Sequence, residues 1–193
     1  MVVNVSGMDF IIDDDSYQLF NSYVWHVSYS RYKGVPYLRG TKYRKIWFHR
    51  LVLGIVDSKI NVDHKNRNTL DNRRVNLRIC PRGMYNAINR TKQLNNTSSY
   101  KGVFLRKDTT IVRYRAQIRY KQKLVHLGQH EDPKYAASMY DYAAKILFGE
   151  FAYINDSGVH ISESDKLYIN DRIKGLTHEY VFVPKKNNLD KQK

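Results

Sequence analysis

The segment Ile60–Arg90, INVDHKNRNTLDNRRVNLRICPRGMYNAINR, decides how the first half of this chain folds. A short apolar strand pattern ends in the pair Asp63-His64, and a second strand pattern runs from Leu77 to Cys80. The stretch between them is polar and rich in Asn, and the stretch after Cys80 carries Asn86. The order of residues therefore supplies a histidine, a carboxylate and amide side chains within one short segment.

The overall charge indicates the kind of partner. The chain has 193 residues, a formal net charge of +15 and a pI near 9.8, which favours a polyanion and above all nucleic acid. A basic membrane-surface protein is the alternative, but no apolar run approaches the ~18 residues that span a bilayer. The first residues, MVVNVSGMDFIIDDDS, lack the features of a signal peptide, and the single cysteine excludes internal disulfides. We expect an intracellular, soluble protein without a membrane partner.

The polar residues of the quoted segment match the needs of phosphodiester hydrolysis, which requires an activated water and charge relief on the phosphate. A neutral imidazole such as that of His64 suits the base at neutral pH. Carboxylate and amide oxygens are hard ligands that match Mg²⁺. Asp63 and Asn86, completed by waters and phosphate oxygens, therefore predict a Mg²⁺ site.

The run VDHKNRNTLDNRRVNLRIC, continued by MYNAINR, resembles the HNH (ββα-metal) nucleases in the form found in phage and intron-encoded homing endonucleases. The upstream run WFHRLVLG resembles the segment before that motif. By position, the resemblance implies that His64 is the general base and that Asp63 and Asn86 hold Mg²⁺ or Mn²⁺. It also implies that Asn76 braces the loop between the two strands and so orients His64.

The sequence departs from that family after the second strand, where Pro81-Arg82-Gly83 stands before the Asn. An ungapped alignment places Tyr85, a poor Mg²⁺ ligand, at the metal position, and Asn86 comes one residue late. Asn89 is a further candidate. Asp and Asn also favour turns, but the joint occurrence of Asp-His, DNRRVNL and a later Asn favours the nuclease motif.

A strand with two different faces is predicted at residues 111–121, IVRYRAQIRYK. Side chains alternate along a strand, so the apolar and aromatic residues share one face and the cations the other. Arg and Gln can bind guanine and adenine edges bidentately, and a sheet can carry them into the major groove. The residues of the polar face are Arg113, Arg115, Gln117, Arg119 and Lys121.

Flanking patterns extend this strand into a small domain. Strands are predicted at Tyr100 to Lys107 and Lys123 to Leu127, with close packing or bulges at Gly102 and Gly128. A helix follows, with Asp132 as its N-cap and its end near Gly149.

The order SYKGVFLRK, YRAQIRY and VHLGQHEDPKYAASMYDYAAKILFGEFAYIN resembles the AP2/ERF DNA-binding domain. The resemblance implies a three-stranded antiparallel sheet backed by one helix, with the sheet in the major groove. Tyr114 and His126 stand where that family usually has Trp. The residues implied in DNA contact are Lys101, Arg106, Gln117 and Arg119, with Arg113 and Arg115 added by strand alternation.

These patterns predict an α+β chain: a ββα-metal nuclease core with a β-rich N-terminal region, then an AP2-like sheet on one helix. The segments are 1–58 (β-rich), 59–90 (HNH motif), 91–98 (linker), 99–155 (AP2-like) and 156–193 (extension and basic tail). The extension predicts a helix capped by Ser162 or Ser164 and a strand at EYVFVP. The sequence leaves open whether residues 1–58 pack on the nuclease core or lay a strand on DNA.

The expected function is that of a Mg²⁺-dependent, site-specific homing endonuclease, which nicks or cuts double-stranded DNA in the cytoplasm or nucleoid of a phage-infected or bacterial host cell. A non-catalytic DNA-binding regulator with a decayed HNH segment is the alternative. An RNA-binding protein is a third class, but the chain lacks a recognised RNA-binding aromatic motif.

Overall fold

The computed structural model describes residues 1–30, 34–41, 45–80, 96–106 and 111–176. The chain divides into two units, Met1–Arg90 and Thr91–Lys193, here called the first and second units. Each combines small antiparallel sheets with helices, so the expected α+β class is confirmed.

The first unit contains three small sheets and two short helices among its described residues. Each pair of neighbouring strands is antiparallel. The pairs β1–β2 and β6–β7 form separate hairpins, and β3, β4 and β5 form one sheet in that order. The elements are β1 (Val2–Val5), β2 (Met8–Ile11), α1 (Tyr17–Asn21), β3 (Val24–Tyr29), β4 (Pro36–Thr41), β5 (Lys45–Trp47), α2 (Phe48–Val52), β6 (Asn61–His64) and β7 (Leu77–Cys80).

Two local conformations in the first unit differ from what the sequence pattern predicts. The aromatic and β-branched run RKIWFHRLVL predicts a strand, but among its described residues it is β-strand only at β5, because α2 places Phe48 and Val52 one helical turn apart, where both are buried in the core. The Asp13-Asp14-Asp15-Ser16 cluster predicts a capped helix from Tyr17 to Tyr23, and α1 ends earlier, at Asn21. Tertiary burial therefore decides the conformation of a run whose aromatic and β-branched composition alone favours strand.

The N-terminal hairpin packs on the Asp-His segment. The Ile11 N–H donates to the Leu70 carbonyl oxygen at 2.8 Å, and the Asn72 N–H donates to the Ile11 carbonyl oxygen at 2.7 Å. The Arg74 N–H donates to the Asp13 carboxylate at 2.7 Å. Within residues 1–58, β2 and Asp13 are therefore structural partners of the segment between β6 and β7.

The second unit has a three-stranded antiparallel sheet in the order β10-β9-β8, with helix α3 packed on one face. Its elements are β8 (Val103–Arg106), β9 (Arg113–Tyr120), β10 (Lys123–His130), α3 (Pro133–Phe148) and α4 (Glu163–Ile173). The predicted alternation of β9 is confirmed, since Ala116, Ile118 and Tyr120 are buried and Arg119 is exposed.

The helix caps of the second unit follow the sequence signals. The Asp132 carboxylate accepts a hydrogen bond from the Lys134 N–H at 2.8 Å, and Gly149 ends α3 with a φ of 53°. Ser162 caps α4 by accepting from the Asp165 N–H at 3.1 Å, which decides between the two predicted serines. The predicted strand EYVFVP, the basic tail and most of the linker lie outside the described residues.

Two glycines let the sheet and α3 approach closely, as predicted. Gly102 has a φ of +76°, and a Cβ there would overlap the Tyr140 ring and lie 2.8 Å from the Gln117 carbonyl oxygen. Gly128 has a φ of +126° and follows a register shift in the pairing of β10 with β9. The absence of a side chain at Gly102 therefore sets the distance between β8 and the helix.

We expect Gly102→Ala to destabilise the second unit far more than Gly158→Ala. Gly158 has a similar φ of +73° but open space around it, so alanine there should cost only the ~1–2 kcal/mol of a left-handed residue. Alanine at Gly102 adds an overlap with Tyr140, worth ~1–3 kcal/mol more. Native-state hydrogen exchange of α3 and β9 amides measures both. Equal losses in the two variants would show that the Tyr140 contact does not matter.

Candidate functional site

His64 is the last residue of β6 and is only 4% exposed. Antiparallel pairing sets it opposite Leu77 and sets Asp63 opposite Arg78 on β7. Because neighbouring side chains on a strand point to opposite faces, burial of His64 leaves Asp63 on the more accessible face. The hairpin thus places a buried imidazole and a partly exposed carboxylate side by side along the chain.

Asn72 holds the His64 ring. The His64 Nε2 lies 3.3 Å from the Asn72 Oδ1, and Asn72 is only 2% exposed. The Asn72 Nδ2 donates to the carbonyl oxygens of Thr69 and Leu70 at 3.3 and 3.4 Å, so its oxygen is the atom turned to the ring. An amide oxygen can only accept, so Nε2 carries the proton and Nδ1 has the lone pair in this arrangement.

Asn76 braces the loop between β6 and β7. Its Nδ2 donates to the Asp71 carbonyl oxygen at 2.7 Å, and its Oδ1 accepts from the Asn66 N–H at 2.9 Å. Its own carbonyl oxygen accepts from the Lys65 N–H at 2.8 Å. The bonds of Asn76 join the two sides of the loop, whereas the contact on the His64 ring comes from Asn72. In the sequence, Asn72 stands out only as part of the run DNRRVNL.

The Asp63 carboxylate forms an ion pair with Arg78. The Arg78 Nη2 and Nε lie 2.8 and 3.1 Å from the Asp63 Oδ2. An ionised carboxylate has about four lone-pair positions, so this pairing is compatible with a cation on the same group. The hard carboxylate oxygen fits Mg²⁺ in its chemistry. No group of three or more His, Cys, Asp or Glu residues that could hold a metal occurs within the described ranges.

The second predicted ligand cannot be placed. Asn86, and with it the alternatives Asn89 and Tyr85, lies outside the described residues. The structure therefore brings together Asp63, His64, Asn72 and Asn76, while the Asn86 assignment stays a prediction.

Aromatic and histidine rings enclose His64 on another side. The ring centroids of His49 and His64 are 5.4 Å apart, and Tyr37 lies 5.6 Å from His49 and 6.2 Å from His64. Trp47 completes the group, 6.3 Å from His49. His49 was noted in the sequence only as part of the run WFHRLVLG. Its contact with His64 depends on α2 packing against β4, which no local pattern shows.

Burial keeps both imidazoles neutral. Loss of solvation lowers the pKa of His49 to about 3, and electrostatic interactions with His64 and Arg50 add to the effect. Loss of solvation also lowers the pKa of His64, against the opposing effects of the Asn72 hydrogen bond and the Asp63 and Asp71 charges. At neutral pH His64 is therefore neutral, and its second ring nitrogen is able to accept a proton.

The predicted DNA-contacting residues of the second unit lie mainly on the sheet face opposite α3. Register pairs Arg106 with Arg113, and Gln117 with His126. The strands β8, β9 and β10 contain no Asp or Glu, so no carboxylate on them offsets these cations. Lys101 precedes β8 and has its Nζ 5.1 Å from the centre of the Tyr153 ring.

Comparison with known proteins gives one family. The family model described as HNH endonuclease matches residues 42–83, a span that contains His49, Asp63, His64, Asn72 and Asn76. No curated protein matches the chain. The match supports an HNH nuclease domain acting on DNA, and it does not extend into the second unit. No helix among the described residues is both long and apolar enough to cross a bilayer.

We expect the free energy of unfolding of the first unit to fall as the pH falls from about 6.5 toward 3. Unfolded His49 takes up a proton near pH 6.5, whereas folded His49 does so only near 3. Between these values the unfolded state binds more protons, at up to ~1.4 kcal/mol per pH unit for one group. His64 contributes in the same direction.

Urea unfolding followed by tryptophan fluorescence measures this slope, since Trp25 and Trp47 are the two tryptophans and both lie in the first unit. His49→Asn should flatten the dependence, whereas His160→Asn, at an exposed position, should leave it unchanged. A slope in His49→Asn equal to that of the parent would show that His49 titrates normally.

Proposed function

We propose that this chain is a Mg²⁺-dependent, site-specific homing endonuclease that hydrolyses double-stranded DNA inside a phage-infected or bacterial cell. The first unit cuts and the sheet of the second unit binds the target. The observation that carries the proposal is the neutral, buried His64, fixed by Asn72 next to Asp63 within the segment that the HNH model matches.

His64 acts as the general base. Its Nδ1 takes a proton from a water, the resulting oxygen forms a bond to phosphorus, and the bond from phosphorus to the leaving oxygen breaks. The leaving oxygen then takes a proton from solvent. The Asn72 Oδ1 accepts from Nε2 throughout, so the imidazolium that forms keeps its orientation and a partner for its second N–H.

Asp63 and Asn86 would hold the metal in this proposal. A Mg²⁺ held there would supply positive charge to offset the negative charge of the phosphate. Arg78, paired with Asp63 across the hairpin, holds that carboxylate in place. Asn76 orients His64 indirectly, because its hydrogen bonds fix the loop that carries Asn72.

The second unit supplies affinity through the cations on its sheet. Lys101, Arg106, Arg113, Arg115 and Arg119 bind phosphates or base edges, and Gln117 binds a base edge. Contacts with phosphates release counterions, so binding weakens steeply with salt. A single HNH segment per chain makes a nick the simplest product of a monomer.

A non-catalytic regulator is the second candidate. The observation in its favour is the Arg78 ion pair, which already neutralises the Asp63 carboxylate without a metal. This protein would bind the same DNA through the second unit and leave it intact. Cleavage assays over several divalent metals separate the two candidates.

We expect His64→Ala to lower the cleavage rate by about 100-fold or more, the usual contribution of a general base. Cleavage mapping on a library of DNA sites first supplies the target. Binding of that target should stay at the parent level, because His64 is buried and belongs to the cutting unit. His160→Ala is the control and should cut at the parent rate. Cleavage by His64→Ala at the parent rate would remove His64 from the base role.

We expect Asp63→Asn and Asn86→Ala to bind metal at least tenfold more weakly than the parent. Asp63→Asn loses the negative charge of the ligand, and Asn86→Ala loses the ligand oxygen. Mn²⁺ electron paramagnetic resonance on the full chain measures metal binding apart from activity, and cleavage against Mg²⁺ concentration gives the matching functional value. Asn89→Ala is the paired variant and should resemble the parent. Loss of binding in Asn89→Ala with none in Asn86→Ala would assign the ligand to Asn89.

A further inference from the structure

Two large apolar side chains stand among the cations on the sheet of the second unit. Phe104 on β8 is 38% exposed and Leu124 on β10 is 44% exposed. Register sets Phe104 opposite Arg115, and Leu124 opposite Arg119. Residues directly opposite in an antiparallel pair share a face, so each apolar side chain adjoins an arginine on the face away from α3.

The fold does not account for these two residues. The core of the second unit is built from the opposite face of the sheet, and neither Phe104 nor Leu124 belongs to it. Single exposed apolar residues are common on protein surfaces. Here, however, two of them recur beside arginines, on strands that contain no carboxylate.

The arginines beside them are available for a ligand. The side chains of Arg113 and Arg115 make no hydrogen bond or ion pair with any residue that the structure describes. Among the described groups, the Arg119 guanidinium donates only to the backbone carbonyl oxygen of Gln122, at 3.2 Å. A surface of cations with embedded apolar side chains fits a duplex whose base edges offer both acceptors and methyl groups.

The major groove presents one apolar group, the C5-methyl of thymine, and apolar side chains recognise it by contact. Guanine presents the O6 and N7 acceptors that arginine binds bidentately. An apolar residue adjoining an arginine therefore matches a thymine next to a guanine.

We propose that Phe104 and Leu124 are specificity-determining residues that contact thymine C5-methyl groups, each beside a guanine bound by Arg115 or Arg119. The inference rests on the proposed binding of DNA by this sheet. Arg115 and Arg119 are four residues apart on β9, which is ~13 Å at ~3.3 Å per residue. A strand lying along the groove then sets the two thymine-guanine pairs about four base pairs apart, at ~3.4 Å per base pair.

The experiment removes single methyl groups from DNA. Selection with the full chain from a duplex library with a randomised core, in EDTA so that no cleavage occurs, gives the bound sequence. Each thymine of that sequence is then replaced by uracil, which lacks only the C5-methyl. We expect about fourfold weaker binding at two separated thymines, the size expected for one buried methyl group.

The variants connect each methyl to its residue. Phe104→Ala should bind the thymine and uracil forms of one site equally, and Leu124→Ala should do so at the other site. Both side chains are exposed, so these variants should fold, which circular dichroism checks. Leu167→Ala, which removes an exposed leucine from α4, should keep the parent response to uracil at both sites.

The possible results are distinguishable. Binding that no uracil weakens, or uracil sensitivity that survives in Phe104→Ala and Leu124→Ala, overturns the inference while the proposed DNA binding stands. Failure of the chain to select any duplex overturns both. Methyl-sensitive binding by a chain that cuts nothing supports the inference and favours the regulator over the nuclease.

Discussion

The hydrogen bonds of Asn72 are the constraint on which the first unit depends. One buried residue links three parts of the chain: its N–H bonds to β2, its Nδ2 bonds to its own loop, and its Oδ1 meets the ring of His64. A buried amide left without partners costs ~1–3 kcal/mol, so each of these bonds fixes the others. The N-terminal hairpin is therefore part of the site, because it holds the residue that holds the imidazole.

The electrostatics of the two units are opposite in kind. Around His64, burial keeps two imidazoles neutral, although the chain carries a net charge of +15. On the sheet of the second unit, arginines lie beside one another, and the same strands carry no carboxylates. The positive charges of these side chains repel one another, and a bound anion would relieve that repulsion. A neutral base suits proton transfer and a cationic face suits binding to phosphates, so each unit has the environment its proposed role requires.

Strand alternation and helix-capping signals, which depend only on nearby residues, predicted most of the strands and helices of the second unit. Alternation along β9 separates its buried and polar faces, and the Asp-Pro pair and the glycine at the two ends fix the bounds of α3. These features depend on residues a few positions apart. Such local signals failed at Phe48–Val52, where aromatic and β-branched composition favours strand but core packing selects one helical turn. They also left two serines equal as the cap of α4 until the backbone placed Ser162 at its start.

By itself, the sequence determined the order of the elements in the second unit, the Asp63-His64 pair at a strand end and the cationic alternation of β9, because each is encoded by neighbours along the chain. Only the tertiary structure decided that Asn72 rather than Asn76 contacts the His64 ring, that His49 lies beside it, and that β2 completes the loop. Those contacts depend on tertiary packing, which local sequence patterns do not show. A buried polar group is stable only when it is hydrogen-bonded, and the fold determines which residues lie close enough to be its partners.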